Sequence, residues 1–139
     1  RVRSSRLEGT RVVREQVPTM VDELPVLAVA ATQAHGITEI RGAEELRVKE
    51  CDRIAAMAEG LSTLGADIEA HPDGWTIRGP KPLKGGSVNS RGDHRIAMAL
   101  AVAALAAKGP VEIEGTECVD ISYPGFFADL ERLSGRDAR

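Results

Sequence analysis

"AHGITEIRGAEE" (residues 34–45) and "AKGPVEIEGTEC" (residues 107–118) are two stretches of this chain that align without a gap. Each follows an Ala-rich segment, contains a run of the form Glu-Ile-x-Gly, and has a glutamate two residues after that glycine. Self-similarity of this kind indicates a repeated supersecondary unit. The sequence therefore predicts roughly two copies of a helix–strand–helix–strand unit, with further strands in front of the first copy.

Hydrophobic periodicity, bounded by glycine and proline, extends this pattern over the rest of the chain. Helices are predicted at residues 23–34, 48–64 and 94–109, and from near residue 124. Strands are predicted at residues 37–41, 87–90 and 110–115, in a hairpin at 66–79 with Asp73-Gly74 at its turn, and as two short runs between residues 2 and 16. Strands that alternate with helices predict an α/β fold with helices packed on sheets, and the pattern leaves open whether the strands are parallel.

The composition of the 139-residue chain excludes several classes of protein. Its formal net charge is −3 and no basic run stands out, so nucleic acid is not an expected partner. The longest apolar run, residues 96–107, is too short to span a bilayer, and the amino terminus has no signal-peptide pattern. Two cysteines make no disulfide framework, and the histidines show no metal-ligand spacing. We therefore predict a cytoplasmic protein with no metal, membrane or nucleic-acid partner.

Five charged side chains surround one cysteine in "RVKECDR", residues 47–53, at the start of the second predicted helix. With a helix beginning near residue 48, Lys49 and Arg53 are four residues apart and share a face, and Glu50 lies on the same side. Cys51 then faces the core as a small apolar residue. This placement predicts charges gathered at a helix start to hold an anion and move protons. The alternative is surface pairing, worth about 0.2–0.5 kcal/mol per pair.

The second charged stretch, "SRGDHRIAM" at residues 90–98, begins the long apolar helix. Asp93 is a good N-cap, and His94 and Arg95 follow in the first turn. The unpaired N–H groups and the dipole of a helix start favour an anion, so an arginine there is unfavourable unless an anion lies nearby. Arg95 therefore marks this helix start as a candidate anion site. The alternative is a simple cap followed by a solvated arginine.

A third helix start, in "TMVDELP", carries Asp22. Helices of alternating strand–helix units tend to present their ends on one edge of the fold. We therefore expect the three cations Lys49, Arg53 and Arg95 to converge on a phosphate or a carboxylate. Asp22 and Glu50 are expected beside them. An acid at a helix start also simply favours the helix dipole, and that interpretation stays open.

Four stretches, in chain order, resemble the C-terminal part of the 5-enolpyruvylshikimate-3-phosphate synthase (EPSP synthase) family: "DELPVLAVAA", "EELRVKECDRIAAMAEGL", "SRGDHRIAMALAVAALA" and "SYPGFF". The resemblance covers essentially the whole chain, and "RVKE-x-DR" and "GDHRIAM" are highly specific. It implies an inside-out α/β barrel of repeated βαβαββ-type units. It also implies transfer of the enolpyruvyl group of phosphoenolpyruvate to the 5-hydroxyl of shikimate 3-phosphate, with release of phosphate. This step of aromatic amino acid biosynthesis needs no cofactor.

The resemblance implies proton-transfer roles for three residues of this sequence. Asp22 is similar to the carboxylate that contacts the shikimate hydroxyls and accepts a proton. Lys49 is similar to a residue that binds shikimate 3-phosphate and relays protons. Glu50 is similar to the acid that handles the methylene proton of phosphoenolpyruvate. Glu45 departs from the pattern, because some members have asparagine at that place.

Substrate-binding roles are implied at the other two helix starts. Arg53 and Arg95 resemble the arginines that bind phosphoenolpyruvate. Asp93 and His94 flank that site, and the resemblance implies that they orient Arg95. Arginine forks bind phosphate and carboxylate groups well, which agrees with the two anionic groups of this substrate.

By length, the chain resembles roughly the last third of a family member. The resemblance implies that a lysine, a serine and an arginine that hold shikimate 3-phosphate lie in a missing N-terminal domain. We therefore predict that residues 1–139 are a C-terminal portion of about two repeats, with the end of a preceding repeat at residues 1–17, and are inactive alone. The alternatives are a UDP-N-acetylglucosamine enolpyruvyl transferase-like enzyme, a non-catalytic anion-binding module, and a self-associating interaction domain.

Overall fold

Each of two units in residues 3–135, the part of the chain that a computed structural model describes, combines a sheet with helices. The strands are β1 (Arg11–Val12), β2 (Gly36–Ile40), β3 (Asp67–His71), β4 (Gly74–Gly79), β5 (Gly86–Asn89) and β6 (Val111–Glu114). The α-helices are α1 (Leu24–Gln33), α2 (Arg53–Thr63), α3 (His94–Ala106), α4 (Val119–Ser122) and α5 (Phe126–Ser134). Short 3-10 segments lie at Val17–Thr19, Glu44–Val48 and Thr116–Cys118.

The sheet of the first unit has four strands in the order β1-β2-β4-β3. β1 is parallel to β2, whereas β4 is antiparallel to β2 and forms a hairpin with β3. The sheet of the second unit is the parallel pair β5 and β6. The predicted α/β fold is confirmed, and its sheets contain both parallel and antiparallel pairs.

The two units repeat their strand register, which supports the repeat found in the sequence. Val12 pairs with Ile40 in the first unit, and Val88 pairs with Ile113 in the second. Ile40 and Ile113 are also matched by the ungapped alignment of the two stretches. The sequence repeat is therefore a repeat of backbone geometry.

Two glycines allow the same close approach of the chain in both units. A Cβ on Gly9 would lie 2.3 Å from the carbonyl oxygen of Ile37, and one on Gly85 would lie 2.4 Å from that of Pro110. No side chain is tolerated at such a distance from a backbone atom. Glycine at these two positions therefore lets the first strand of each unit lie against the second.

The core lies between the sheets and the helices, where the alanine-rich helices α1 and α3 pack against each other. Trp75 on β4 is fully buried, and its indole Nε1 donates to the carbonyl oxygen of Ile54 at 2.9 Å. A buried indole N–H needs such an acceptor. The bond also attaches the first turn of α2 to the sheet, which helps to position the residue before Ile54.

Helix α2 begins at Arg53 and not near residue 48 as predicted. Glu44–Val48 forms a 3-10 segment, and Asp52 caps α2 by accepting from the N–H of Ala55 at 3.0 Å. Aspartate is a strong N-cap because its carboxylate satisfies an N–H that has no partner in the helix. Lys49 and Arg53 therefore do not share a helix face, which corrects the prediction of an i,i+4 pair.

Three further elements differ from the predictions. Of the two runs expected between residues 2 and 16, the described part contains only the strand Arg11–Val12, and residue 2 lies outside that part. This strand lies in the sheet of the first unit, beside β2. The hairpin turn is Pro72-Asp73, because His71 pairs with Gly74. The closing helix α5 begins at Phe126, close to the predicted start, and the short helix α4 before it was not predicted.

Candidate anion-binding site at three helix starts

Arg53 is the first residue of α2, and only 2% of its side chain is exposed. Its Nε donates to Asp93 Oδ2 at 2.7 Å, and its Nη2 donates to Asp93 Oδ1 at 3.3 Å. Nη2 also donates to Glu50 Oε2 at 2.7 Å, and Nη1 donates to Asp22 Oδ1 at 3.3 Å. A buried charge without partners is strongly unfavourable, so these carboxylates are what allows the guanidinium to be buried.

Asp93 is fully buried between the starts of α2 and α3. As the N-cap of α3, its Oδ1 also accepts from the backbone N–H of Arg95 at 2.8 Å. Burial by itself raises the pKa of the Asp93 carboxyl, but the hydrogen bond and the charge of Arg53 outweigh burial, so this pKa is lower than usual. Burial lowers the pKa of Arg53 in turn, and the bonds and charges of its carboxylate partners more than reverse that effect. The pair is therefore ionised at neutral pH.

Asp22 lies just before α1 and bridges the two arginines. Its Oδ1 accepts from Arg53 Nη1 at 3.3 Å, and its Oδ2 accepts from Arg95 Nη2 at 3.2 Å. The starts of α1, α2 and α3 therefore meet at one place. We call the five residues that meet there the arginine cluster: Asp22, Glu50, Arg53, Asp93 and Arg95.

Cys51 lies on the buried side of the arginine cluster. Its Sγ donates to Asp93 Oδ2 at 3.7 Å. Burial, followed by the charge of Asp93 and this hydrogen bond, raises the pKa of the Cys51 thiol to about 11. A thiol with such a pKa is almost wholly protonated at neutral pH and is a poor nucleophile. Cys51 is therefore a packing residue here.

Two of the predicted site residues do not join the arginine cluster. Lys49 Nζ lies 2.6 Å from Glu45 Oε1, at the end of the 3-10 segment before α2. His94 is the first residue of α3 and is half-buried, and its side chain has no hydrogen bond or ion pair within residues 3–135. Both residues lie next to members of the cluster in the sequence, but within residues 3–135 their side chains make no hydrogen bond or ion pair with its carboxylates or arginines.

Comparison with known proteins identifies the family to which these helix starts belong. A family model described as EPSP synthase (3-phosphoshikimate 1-carboxyvinyltransferase) matches residues 1–130. The chain belongs to the EPSP synthase family. The resemblance noted in the sequence is thereby confirmed.

Individual members of the EPSP synthase family are similar along nearly all of this chain. The protein named 3-phosphoshikimate 1-carboxyvinyltransferase from Desulforudis audaxviator is 59% identical over 133 residues, which are 96% of this chain and 31% of that protein. The protein of the same name from Synechococcus sp. (strain JA-3-3Ab) is 55% identical, over 96% of this chain and 30% of its own length. The chain therefore spans less than a third of these relatives.

A solved structure of an EPSP synthase also matches the fold. The Acinetobacter baumannii EPSP synthase, at 2.37 Å, superposes with a TM-score of 0.87 and 43% sequence identity. The match covers 93% of this chain and 30% of that one. At this identity the likeness extends beyond the arrangement of helices and strands to the sequence that forms them.

In this member of the EPSP synthase family, solvent exposure divides the arginine cluster into a fixed part and an accessible part. Arg53 and Asp93 are buried, whereas 45% of the Asp22 side chain and 49% of the Glu50 side chain are exposed. The accessible side of the cluster is therefore the side of Asp22 and Glu50. Asp93 stays behind Arg53, on the side away from solvent.

The Arg53–Asp93 pair was missed in the sequence, which associates Asp93 only with its neighbour Arg95. The two residues are 40 positions apart, and no periodicity relates them. One feature of the sequence could have indicated such a pair. An aspartate that caps a helix with one carboxylate oxygen can accept a hydrogen bond from a cation with the other. Only the packing of α2 against α3 shows which cation uses it.

Two structural features are absent from residues 3–135. No helix in that range has the length and apolar character needed to cross a bilayer. The same range contains no group of three or more His, Cys, Asp or Glu side chains placed to hold a metal ion.

Proposed function

We propose that this chain supplies part of the active site of a 3-phosphoshikimate 1-carboxyvinyltransferase. The enzyme would move the enolpyruvyl group of phosphoenolpyruvate to the 5-hydroxyl of shikimate 3-phosphate and release phosphate, in the route to aromatic amino acids. Membership of the EPSP synthase family supports the reaction. The observation that carries the site is the pair Arg53 and Arg95, which are joined through the two oxygens of Asp22.

Phosphoenolpyruvate is the ligand that we assign to the two arginines. It carries a phosphate and a carboxylate, and guanidinium forks bind both groups in a bidentate manner. Arg53 Nη1 and Arg95 Nη2 both point to Asp22, so an anion that replaces this carboxylate is offered two donors. Preorganised cations of this kind also stabilise the charge of a tetrahedral intermediate.

The carboxylates supply the proton transfers in this proposal. Asp22 takes the proton of the 5-hydroxyl while that oxygen bonds to C2 of phosphoenolpyruvate, and protonated Glu50 delivers a proton to C3. In the resulting tetrahedral intermediate, the C2–O bond to phosphate then breaks and phosphate leaves with the electron pair. One proton returns from C3 to Glu50, which restores the enol ether double bond. No metal or organic cofactor takes part.

Three neighbouring residues are assigned to binding. Lys49 leaves Glu45 to bind shikimate 3-phosphate and to relay the proton of Asp22. Asp93 and His94 hold the start of α3 beside the substrate. These three residues, the carboxylates Asp22 and Glu50 and the two arginines would work with groups supplied by the remainder of a longer, cytoplasmic enzyme, since relatives are about three times as long as this chain. We propose that residues 1–139 are the C-terminal portion of its enolpyruvyl transferase domain.

Steady-state kinetics of the full-length enzyme test this function. We expect Arg95→Ala to lower kcat/KM for phosphoenolpyruvate by about 10- to 150-fold, since a charge-assisted hydrogen bond contributes about 1.5–3 kcal/mol. Arg78→Ala is the control, because Arg78 on β4 pairs with the carboxylates of Asp67 and Glu69, neither of which belongs to the arginine cluster. We expect this control to change kcat/KM less than about twofold.

Two results would contradict the proposal. Equal kcat/KM values for Arg95→Ala and Arg78→Ala would favour the alternative interpretation, in which the chain is a non-catalytic anion-binding module. Turnover with UDP-N-acetylglucosamine, and none with shikimate 3-phosphate, would assign the chain to the other enolpyruvyl transferase.

A further inference from the structure

We infer that Asp93 is a positioning residue that fixes both arginines of the cluster. It accepts hydrogen bonds from the Arg53 guanidinium, and it accepts another from the backbone N–H of Arg95, which fixes the backbone from which that side chain projects. This inference rests on the proposed function, in which the two arginines bind phosphoenolpyruvate. Nothing in the sequence pattern links Asp93 to Arg53, because the connection is made only by the packing of α2 against α3.

The contacts of Asp93 use both of its oxygens fully. Oδ2 accepts from Arg53 Nε at 2.7 Å and from Cys51 Sγ at 3.7 Å. Oδ1 accepts from Arg53 Nη2 at 3.3 Å and from the backbone N–H of Arg95 at 2.8 Å. A fully buried carboxylate with four donors has one orientation, so it fixes the plane of the guanidinium that it holds.

The side of Arg53 that Asp93 holds is the side that a ligand does not use. Nε and the inner hydrogen of Nη2 face Asp93, whereas Nη1 faces Asp22, which is partly exposed. Anchoring the buried edge therefore keeps the outer edge directed at the position of the Asp22 carboxylate. Less side-chain freedom is then lost when an anion binds, and preorganisation of this kind increases affinity.

Asp52, the N-cap of α2, is a matched control within the same chain. Its Oδ1 accepts from a backbone N–H, that of Ala55, at 3.0 Å, and its Oδ2 accepts from an arginine, Arg47 Nη1, at 2.6 Å. In both caps, aspartate to asparagine retains Oδ1, which caps the helix, and replaces Oδ2 with an amide nitrogen that cannot accept from the arginine. The substitution therefore keeps each cap and removes the shortest bond to the arginine, and at Asp93 it leaves only the 3.3 Å bond from Arg53 Nη2 to Oδ1.

The experiment compares Asp93→Asn with Asp52→Asn in the full-length enzyme, by kinetics and by NMR of arginine Nε–H groups. We expect Asp93→Asn to raise KM for phosphoenolpyruvate at least about tenfold, and Asp52→Asn to change it less than about twofold. In the wild type we expect slow hydrogen exchange at Arg53 Nε–H, assigned by its loss in Arg53→Lys. We expect Asp93→Asn to make that exchange as fast as at Arg78.

Each outcome decides the question. An unchanged KM in Asp93→Asn, with only a lower Tm, would make Asp93 a helix cap alone and overturn the inference. If Asp93→Asn does not fold, the wild-type exchange rate remains decisive, because equal rates at Arg53 and Arg78 would show that Asp93 does not hold the guanidinium. Should the wild-type enzyme not turn over the two substrates, the proposed function fails, and the exchange rates still test whether Asp93 holds Arg53.

Discussion

Helices α2 and α3 begin with aspartates that make the same kinds of bond in different surroundings. Asp52 and Asp93 each cap a helix with one oxygen and accept from an arginine with the other. The Asp52 side chain is 38% exposed and pairs with Arg47, whereas that of Asp93 is 0% exposed and pairs with buried Arg53. Capping is thus a local property of the sequence, whereas burial decides what the second oxygen contributes.

The energetic consequence of that difference is large. An ion pair near the surface contributes about 0–1 kcal/mol, because water solvates both partners when they separate. Removing one partner of a buried pair costs about 3–5 kcal/mol, because the other charge stays buried without compensation. The two helix starts therefore allow one chemical change to be compared at two levels of burial.

Removal of the buried carboxylate is expected to have the largest effect on stability. Asp93→Ala leaves Arg53 with one carboxylate fewer and α3 without its cap, so the free energy of unfolding should fall by about 3–5 kcal/mol. Urea unfolding of the chain, followed by the fluorescence of its single tryptophan, Trp75, measures the change. A loss of only about 1 kcal/mol, typical of a cap, would remove the contrast with Asp52.

The second-largest effect is expected from acid, which should reduce the stability that Asp93 contributes at the start of α3. The pKa of Asp93 is lower in the folded chain than its ordinary value of 3.8, so the unfolded chain binds more protons at low pH. The stability from Asp93 is therefore complete above about pH 4 and is lost as the pH falls through the lower, folded pKa. Urea unfolding between about pH 5 and pH 2 should show a shallower decline for Asp93→Asn than for the wild type. Parallel declines would contradict the assignment.

The exposed cap should show a smaller effect. Asp52→Ala removes the bond to the N–H of Ala55 and the pair with Arg47, and we expect the free energy of unfolding to fall by about 1 kcal/mol. The same fluorescence assay measures it. A loss close to that of Asp93→Ala would mean that burial does not distinguish the two helix starts.

The smallest effect is expected at an ion pair that lies beside the site but caps no helix. Glu45→Ala removes the pair with Lys49, in which half of the Glu45 side chain is exposed, and should cost less than about 1 kcal/mol. In about 1 M salt this difference should nearly vanish, because the Debye length is then about 3 Å. A salt-independent loss would indicate that Glu45 has a packing role.

The sequence predicted features that depend on neighbours along the chain. Helix α1, the hairpin and the cap at Asp93 all follow from local pattern, and all are present. The predicted start of α2 was wrong, because a helix-like pattern does not distinguish a 3-10 segment that ends at Val48 from the helix that begins at Arg53. The sequence also predicted that Asp22, Arg53 and Arg95 would lie together, because helix ends in alternating units lie on one edge of the fold.

What the sequence did not predict depends on packing between distant segments. The pair of Arg53 and Asp93, and the bridge that Asp22 makes to Arg95 across 73 residues, require the relative positions of three helices. Lys49 was expected to converge with the arginines, but it contacts Glu45, its neighbour in the 3-10 segment. A flexible ammonium pairs with the nearest available carboxylate, and sequence spacing does not reveal which one that is.

The different sizes of the two sheets have a practical consequence. β2 has partners on both sides, whereas within residues 3–135 its counterpart β6 pairs only with β5. Unpaired N–H and C=O groups along a strand attract a further strand, from the same polypeptide or from another molecule. Preparations of residues 1–139 alone should therefore associate through β6 at high concentration, and the two charged residues exposed on this strand, Glu112 and Glu114, oppose that association.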